Sequence, residues 1–182
     1  MSDASIHVFA SSEWQVYRTL RLQALQDAPD AFGSTYEEAI DRPDQYWISR
    51  LENLAPSRDL PLRADCENRP AGLAWGQIEA SQPVTAQVFQ MWVAPEFRGL
   101  GIGRRLLMEI IRWARAQGAG SVRLGVTLGN RIATDLYTST GFEAIGSPVP
   151  IRPNRNLLVQ DMQLQLGGAE RVTGRMNDQD GQ

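Results

Sequence analysis

The fold is decided by one stretch of sequence, Val93-Ala-Pro-Glu-Phe-Arg-Gly-Leu-Gly-Ile-Gly-Arg-Arg105. An apolar segment that is typical of a buried strand, Thr85–Val93, precedes it, and an amphipathic helix is predicted over Gly101–Gln117. Glycines let a main chain approach a ligand closely, and the first turn of a helix offers N–H groups that have no partner within the helix. With Arg98 and Arg104 beside them, these groups predict a site for a phosphate-bearing ligand.

Two other phosphate-binding motifs do not fit this loop. A Walker loop needs Gly-Lys-Ser/Thr, and all 18 basic residues of the chain are arginines. A dinucleotide-binding loop needs Gly-x-Gly-x-x-Gly, whereas Gly99, Gly101 and Gly103 are spaced Gly-x-Gly-x-Gly. The absence of lysine also excludes a lysine nucleophile. A plain glycine-rich turn with solvated arginines remains the alternative at this point.

The composition disfavours several other classes of function. Cys66 and His7 are the only cysteine and histidine, so we expect no internal disulfide, no serine–histidine–aspartate triad and no metal site. The net charge of −3 disfavours nucleic-acid binding. No segment approaches the ~20 apolar residues of a membrane helix, and the first residues do not resemble a signal peptide. We therefore expect a cytoplasmic protein that binds neither nucleic acid nor a membrane.

Periodicity and turn residues predict a mixture of strands and helices. One helix is predicted from Ser11, capped by Ser11 or Ser12, and ends at Pro29. Another is predicted with its cap at Ser34 and Thr35, and it runs past Pro43 towards Leu54 with a break at that proline. Two more are predicted over Gly101–Gln117 and Asn130–Thr140, and seven strands over Ser5–Phe9, Leu60–Cys66, Ala71–Ala80, Thr85–Val93, Ser121–Thr127, Leu157–Leu166 and a segment that begins with Phe142–Ile145. We expect one α+β domain over residues 1–166, with a mixed, mostly antiparallel sheet of about seven strands and about four helices. Residues 167–182 are expected to be disordered.

Two motifs in this order resemble the GNAT family of N-acetyltransferases. The family signature Arg/Gln-x-x-Gly-x-Gly/Ala is matched by Arg98, Gly101 and Gly103. The segment Asn130-Arg-Ile-Ala-Thr-Asp-Leu-Tyr-Thr-Ser-Thr-Gly-Phe142 is similar to the family's N-x-x-A-x-x-L-Y-x-x-x-G-F, and Ala31–Glu38 is a weaker likeness to some bacterial members. The resemblance implies a GNAT fold and an enzyme that moves an acetyl group from acetyl-CoA to a primary amine of a small molecule or peptide.

The resemblance also implies where acetyl-CoA binds. Main-chain groups near Met91 and Val93 would meet the pantetheine arm, and an N–H near Val93 would stabilise the developing oxyanion. Asn130 would bind the pantetheine or cap the following helix. The pyrophosphate cradle is expected at Arg98, Gly99, Leu100, Gly101, Gly103 and Arg104.

For the chemistry, the resemblance points to Tyr137 as the general acid that protonates the departing sulfur, with a packed aromatic as the alternative. Some members carry a glutamate on the strand before the loop, but here that strand has no carboxylate. Glu79 is the candidate base, with Glu37 or Glu38 as further candidates, although such residues are more often simply solvated acids. A water relay or an amine that binds neutral would need no base.

The acceptor remains open at this point. Phe32, Tyr36 and Trp92 are candidates for the acceptor pocket, although aromatic residues also fill cores. The same fold could use another acyl-CoA, or the chain could be a regulator that binds CoA without catalysis. A homodimer is also possible by analogy with relatives.

Overall fold

The computed structural model describes residues 4–80, 84–152 and 156–167. Its strands are β1 (Ala4–Val8), β2 (Asp59–Cys66), β3 (Arg69–Glu79), β4 (Thr85–Val93), β5 (Ser121–Thr127), β6 (Glu143–Pro150) and β7 (Leu158–Gln165). Its helices are α1 (Trp14–Asp27), α2 (Tyr36–Ile40), α3 (Asp44–Glu52), α4 (Ile102–Ala116) and α5 (Arg131–Ser139). Among these described elements, no helix is long and apolar enough to cross a membrane. Apart from Gly167, the predicted disordered tail lies outside the described residues.

The strands form one open sheet in the order β1-β2-β3-β4-β5-β7-β6. Each neighbouring pair is antiparallel except β4 and β5, which run parallel. The parallel pair needs a crossover, and α4 provides it between β4 and β5. The mixed, mostly antiparallel sheet of seven strands confirms the predicted fold class.

The sheet is covered on both faces. On one face, α4 buries an apolar stripe of Ile102, Leu106, Leu107, Ile110, Ile111 and Ala114, as its helical spacing predicts. On the other face, α1 and α3 surround Tyr17, whose ring lies 5.9 Å from that of Trp47 and 5.7 Å from that of Trp75. Burial of these rings fixes α1 and α3 against β3.

Two features of the helical segments differ from the predictions. Neither Ser11 nor Ser12 caps α1; a short 3-10 helix precedes it, and the Ala10 N–H donates to Glu13 Oε2 at 2.8 Å. The break at Pro43 separates two helices, α2 and α3, so five helices are present among the described residues rather than about four.

The parallel strands β4 and β5 separate halfway along β4. Their pairing ends at Val88 and Leu124, although β4 continues to Val93 and β5 to Thr127. Just beyond this point Gln90 has a φ of +55°, and the β3–β4 register shifts at the same level, which is typical of a β-bulge. The Tyr17 hydroxyl donates to Gln90 Oε1 at 2.8 Å and holds the bulge. The result is a gap in the middle of the sheet.

Candidate active site

A cavity of about 500 Å³ opens in the gap between β4 and β5. One wall is the carboxyl end of β4 with Met91 and Val93, and another is the loop and first turn of α4, residues 98–104. The third wall is α5, which contributes Leu136 and Tyr137. The three elements that carry the two motifs of the sequence therefore meet around one cavity.

The loop offers the cavity its main chain rather than its side chains. Gly99 and Gly101 have φ values of +77° and +76°, a backbone conformation that residues other than glycine rarely adopt. Among the described residues, the N–H groups of residues 99–104 form no hydrogen bond. Leu100 is 44% exposed and its side chain does not line the cavity. This row of free N–H groups at the positive end of α4 is suited to a diphosphate.

The Arg98 side chain bonds to other parts of the protein and so holds the loop in place. Its Nε donates to the Val93 carbonyl at 2.9 Å, and its guanidinium forms an ion pair with Asp27 at the end of α1. The same Asp27 carboxylate accepts a hydrogen bond from Trp92 Nε1 at 2.8 Å. Of the main-chain groups predicted to meet the pantetheine, the Val93 carbonyl is thus already occupied.

Arg104 and Asn130 also bond to the protein. Arg104 donates to Ser139 Oγ at 3.2 Å and to the Ser139 carbonyl at 3.3 Å, which joins α4 to α5. Asn130 Oδ1 accepts from the Ala133 N–H at 3.2 Å, so the residue caps α5, as one of the two interpretations of Asn130 predicted. Both residues still line the cavity, and the capping bond leaves the Asn130 Nδ2 group available to a ligand.

A second cavity, of about 380 Å³, lies on the other side of the gap. It is lined by α1, by the loop between α1 and α2, and by β5. The two cavities share Ala31, Phe32, Met91, Asn130, Ala133 and Tyr137. The gap therefore connects a site with phosphate-binding character to a smaller pocket, and Tyr137 stands at the junction.

Tyr137 is 7% exposed, and its hydroxyl lies 3.9 Å from Met91 Sδ, a weak contact. Burial raises the pKa of Tyr137 to about 12, because the phenolate would be desolvated. The phenol is therefore protonated throughout the neutral range. It can donate a hydrogen bond or a proton at the junction, but it cannot act as a base there.

The Acetyltransferase (GNAT) family matches this sequence over residues 21–142, which is more than half of the chain and includes both motifs. The chain belongs to the GNAT family. The structure is also similar to a GNAT acetyltransferase of Streptococcus pneumoniae, with a TM-score of 0.77, 20% identity, and coverage of 91% of this chain and 100% of that one. A yncA protein of Salmonella typhimurium, solved with acetyl-CoA, gives a TM-score of 0.75 at 22% identity, over 92% and 96% of the two chains.

Curated relatives of this GNAT chain match it over part of their length. A mycothiol acetyltransferase of Stackebrandtia nassauensis is 29% identical over 120 residues, 65% of this chain and 37% of the relative. The N-alpha-acetyltransferase RimI of Mycobacterium tuberculosis is 42% identical over 70 residues, 38% of this chain and 42% of the relative. The chain thus spans about two fifths of the length of these relatives.

The predicted acceptor residues of the GNAT domain do not all meet. Phe32 lines both cavities, in the loop between α1 and α2. Trp92 is buried, bonds to Asp27 and lines the first cavity only. Tyr36 is the first residue of α2 and lines neither cavity. Phe32 is therefore the aromatic residue placed at the junction with Tyr137.

The predicted base is placed away from the junction. Glu79 ends β3 and pairs with Thr85 at the start of β4, the end opposite to Met91, and its carboxylate accepts from Gln87 Nε2 at 3.0 Å. Met91, at the junction, lies six positions beyond Thr85 along β4, or about 20 Å along an extended strand. Glu79 lines neither cavity, so its carboxylate lies away from the junction at which the acceptor amine is expected. The Glu38 carboxylate also has a structural role, since it accepts a hydrogen bond from the Thr35 N–H at 3.1 Å at the start of α2.

One residue of the GNAT domain that the sequence interpretation missed is Arg21, which lines the second cavity. Its signal was present: Tyr17, Arg21 and Leu25 share one face of α1 at helical spacing, and that face is buried. An arginine in the buried stripe of an amphipathic helix is unusual enough to mark a site.

Proposed function

We propose that this chain transfers an acetyl group directly from acetyl-CoA to the primary amine of a small molecule or peptide. The observation that carries the proposal is the position of Tyr137, at the junction of two cavities. One cavity ends on the free N–H groups of residues 99–104, and the other is a smaller cavity of about 380 Å³ that would take the acceptor. Membership of the GNAT family, which uses acetyl-CoA, supports the same activity.

The residues present fit acetyl-CoA. The N–H groups of residues 99–104 would hold its diphosphate, because a diphosphate has several oxygens that accept hydrogen bonds. The main chain at Met91, exposed by the separation of β4 from β5, and the Asn130 amide would hold the pantetheine arm. When bound, acetyl-CoA supplies an acyl group activated as a thioester, whose transfer to an amine releases a free thiol.

Tyr137 is the proton donor of this proposal. Its hydroxyl faces the Met91 side of the junction, and its raised pKa keeps the proton on the oxygen at neutral pH. A hydrogen bond from such a group stabilises negative charge that develops on a departing sulfur. The proposal assigns the same residue no role as a base.

No carboxylate takes the base role in this proposal. Among the described residues, no aspartate or glutamate lines both cavities; Asp27 lines the first cavity only and is paired with Arg98. The amine would therefore enter in its neutral form or release its proton to water. The rate should then rise with pH towards the pKa of the acceptor amine.

The test is release of free thiol from acetyl-CoA over a panel of primary amines, with the acetylated product identified by mass spectrometry. The panel contains amino acids, amino-acid amides, polyamines and a peptide with a free amino terminus. Acetyl-CoA is replaced by propionyl-CoA and succinyl-CoA in parallel, which identifies the preferred acyl group. We expect amine-dependent thiol release with acetyl-CoA. Binding of acetyl-CoA by calorimetry without turnover of any amine would favour a regulator and contradict the proposal.

A further inference from the structure

A buried cation without a partner lies on the wall of the second cavity. Arg21 is 7% exposed, and its Nη1 is buried with no hydrogen-bond partner. Among the described residues its guanidinium forms neither a hydrogen bond nor an ion pair. Its one specific contact is the Phe32 ring, whose centroid lies 4.5 Å from Arg21 Cζ. Buried polar groups are nearly always paired, so an unpaired arginine needs an explanation.

The surroundings of Arg21 supply no negative charge. Burial lowers its pKa to about 10; the hydroxyls of Tyr17 and Tyr46 oppose that shift, and the cations of Arg50 and Arg42 add to it. Arg21 is nevertheless protonated at pH 7. Among the described residues that line the second cavity there is no aspartate or glutamate. A desolvated cation in such a place is costly, and a bound anion would offset that cost.

A second arginine holds the wall on which Arg21 rests. Arg152 Nη2 donates to three carbonyl oxygens of the loop between α1 and α2, those of Pro29 at 2.7 Å, Phe32 at 2.5 Å and Ser34 at 3.4 Å. These bonds fix the loop that presents the Phe32 ring to Arg21. The Arg21 guanidinium is thus held in place against Phe32 before any ligand binds, which favours recognition of a ligand.

We infer that Arg21 binds the carboxylate of the acceptor, so that the acceptor is a small primary amine of the amino-acid type. A guanidinium matches a carboxylate through two parallel hydrogen bonds. Arg21 and Tyr137 line the same cavity of about 380 Å³, so one small molecule can place its carboxylate at Arg21 and its amine near the junction. A polyamine would instead meet a cation there. The inference rests on the proposed function, because it names the acceptor of that transfer.

The first experiment compares Arg21→Met with a matched control, Arg18→Met. Arg18 lies one turn earlier on α1, pairs with Asp44 at 3.6 Å and does not line the cavity. Replacing an unpaired buried cation by an apolar side chain should leave Tm unchanged or raise it. A residue that serves only the fold would instead lower Tm when replaced.

The second experiment measures kcat/KM for pairs of L-amino acids and their carboxamides. The native enzyme should prefer each carboxylate over its amide. Arg21→Met should lower kcat/KM for the carboxylates about 100-fold and leave the amides within about threefold, because the lost group is one partner of a buried ion pair. Arg18→Met should change neither. Equal activity of the native enzyme on both members of each pair, or equal losses in Arg21→Met, would overturn the inference while leaving the proposed acetyl transfer intact.

The third experiment does not depend on turnover. Protein labelled with ¹⁵N-arginine is titrated with the same amino acids and amides, and the side-chain resonance of Arg21 is assigned by its absence in Arg21→Met. We expect this resonance to shift with carboxylates and not with amides. If no amine releases thiol, the proposed function fails, yet this titration still decides the role of Arg21. An Arg21 resonance that no carboxylate moves would overturn the inference.

Discussion

The two cavities that meet at Tyr137 are built in different ways. The first ends on the main chain of residues 99–104, whose N–H groups are free because a glycine-rich loop leads into α4. The second is closed by side chains from separate parts of the chain, with Arg21 on α1 and Val159 on β7 among them. One contiguous motif makes the first cavity, whereas the tertiary fold makes the second.

This difference in construction suits the two cavities to different kinds of ligand. A cradle of main-chain N–H groups recognises a diphosphate whatever the neighbouring side chains are, so it suits a donor that is common to a family. A pocket of side chains can change its chemistry by a single substitution, so it suits an acceptor that varies between relatives. Substitutions in the first cavity and in the second should therefore have effects that can be measured separately.

The largest effect is expected at the junction. Tyr137→Phe removes the proposed proton donor and should lower kcat about 100-fold, or about 2.7 kcal/mol, with little change in acetyl-CoA binding. The matched control is Tyr36→Phe, since Tyr36 lines neither cavity. Steady-state kinetics and calorimetry of both variants check this. Unchanged turnover in Tyr137→Phe would mean that Tyr137 is only a packed aromatic.

A smaller effect is expected from the loop, where two glycines differ in backbone conformation. Gly101 has a φ of +76°, so Gly101→Ala should lower the free energy of unfolding by about 1–2 kcal/mol. Gly103 is the second residue of α4, and a Cβ there would meet Leu136 Cδ2 at 3.5 Å, an ordinary contact. Gly103→Ala should raise the free energy of unfolding by up to about 1 kcal/mol. Urea unfolding of both variants tests the contrast, and equal destabilisation would contradict it.

The next effect is a pH dependence that belongs to Tyr137. Its folded pKa of about 12 lies above that of an unfolded tyrosine, about 10, so its stabilising contribution is complete below pH 10 and is lost as pH rises towards 12. The free energy of unfolding of the native protein, minus that of Tyr137→Phe, should therefore fall by about 1.4 kcal/mol between pH 9 and pH 11. Taking this difference cancels the contributions of Tyr17 and Arg21, which are common to both proteins. A difference that stays constant with pH would contradict burial of the phenol.

The smallest effect is expected at the brace of the loop. Asp27→Asn weakens the contacts to Arg98 and Trp92 and should weaken acetyl-CoA binding about fivefold, or about 1 kcal/mol, because the pair is partly exposed. Asp44→Asn is the control, since its pair with Arg18 is at the surface. Calorimetric titration measures both. Equal Kd values for Asp27→Asn and the native protein would show that the loop needs no brace.

Much of the fold could be predicted from the sequence because the signals are local. Strands β4 and β5 were predicted with the bounds that the structure has, since each is an apolar run between turn residues. The cap of α2 was predicted at Ser34 and Thr35, and the bond from the Glu38 N–H to Thr35 Oγ1 at 3.1 Å confirms it at Thr35. The predicted cap of α1 was wrong because Ser11 and Ser12 lie within the 3-10 helix that precedes α1, so that Glu13 occupies the N-cap position.

The parts of the site that could not be predicted depend on tertiary partners. The positive φ of Gln90 follows from a register shift against β3, which no local sequence signal marks. The position of Glu79 beside Thr85, at the end of β4 opposite to Met91, follows from the pairing of β3 with β4. That Arg98 bonds to Asp27 instead of a phosphate depends on where α1 ends, 71 residues away in the chain.

The central claim is that donor and acceptor meet at Tyr137 and react directly. The most direct measurement is the ratio of thiol released to acetylated amine formed, by mass spectrometry of a reaction of the native protein with acetyl-CoA and the best amine of the panel. We predict one thiol for each acetylated amine, thiol release that stops when the amine is omitted, and formation of both about 100-fold slower in Tyr137→Phe. Thiol release that continues without the amine would mean hydrolysis of the thioester and would contradict the account.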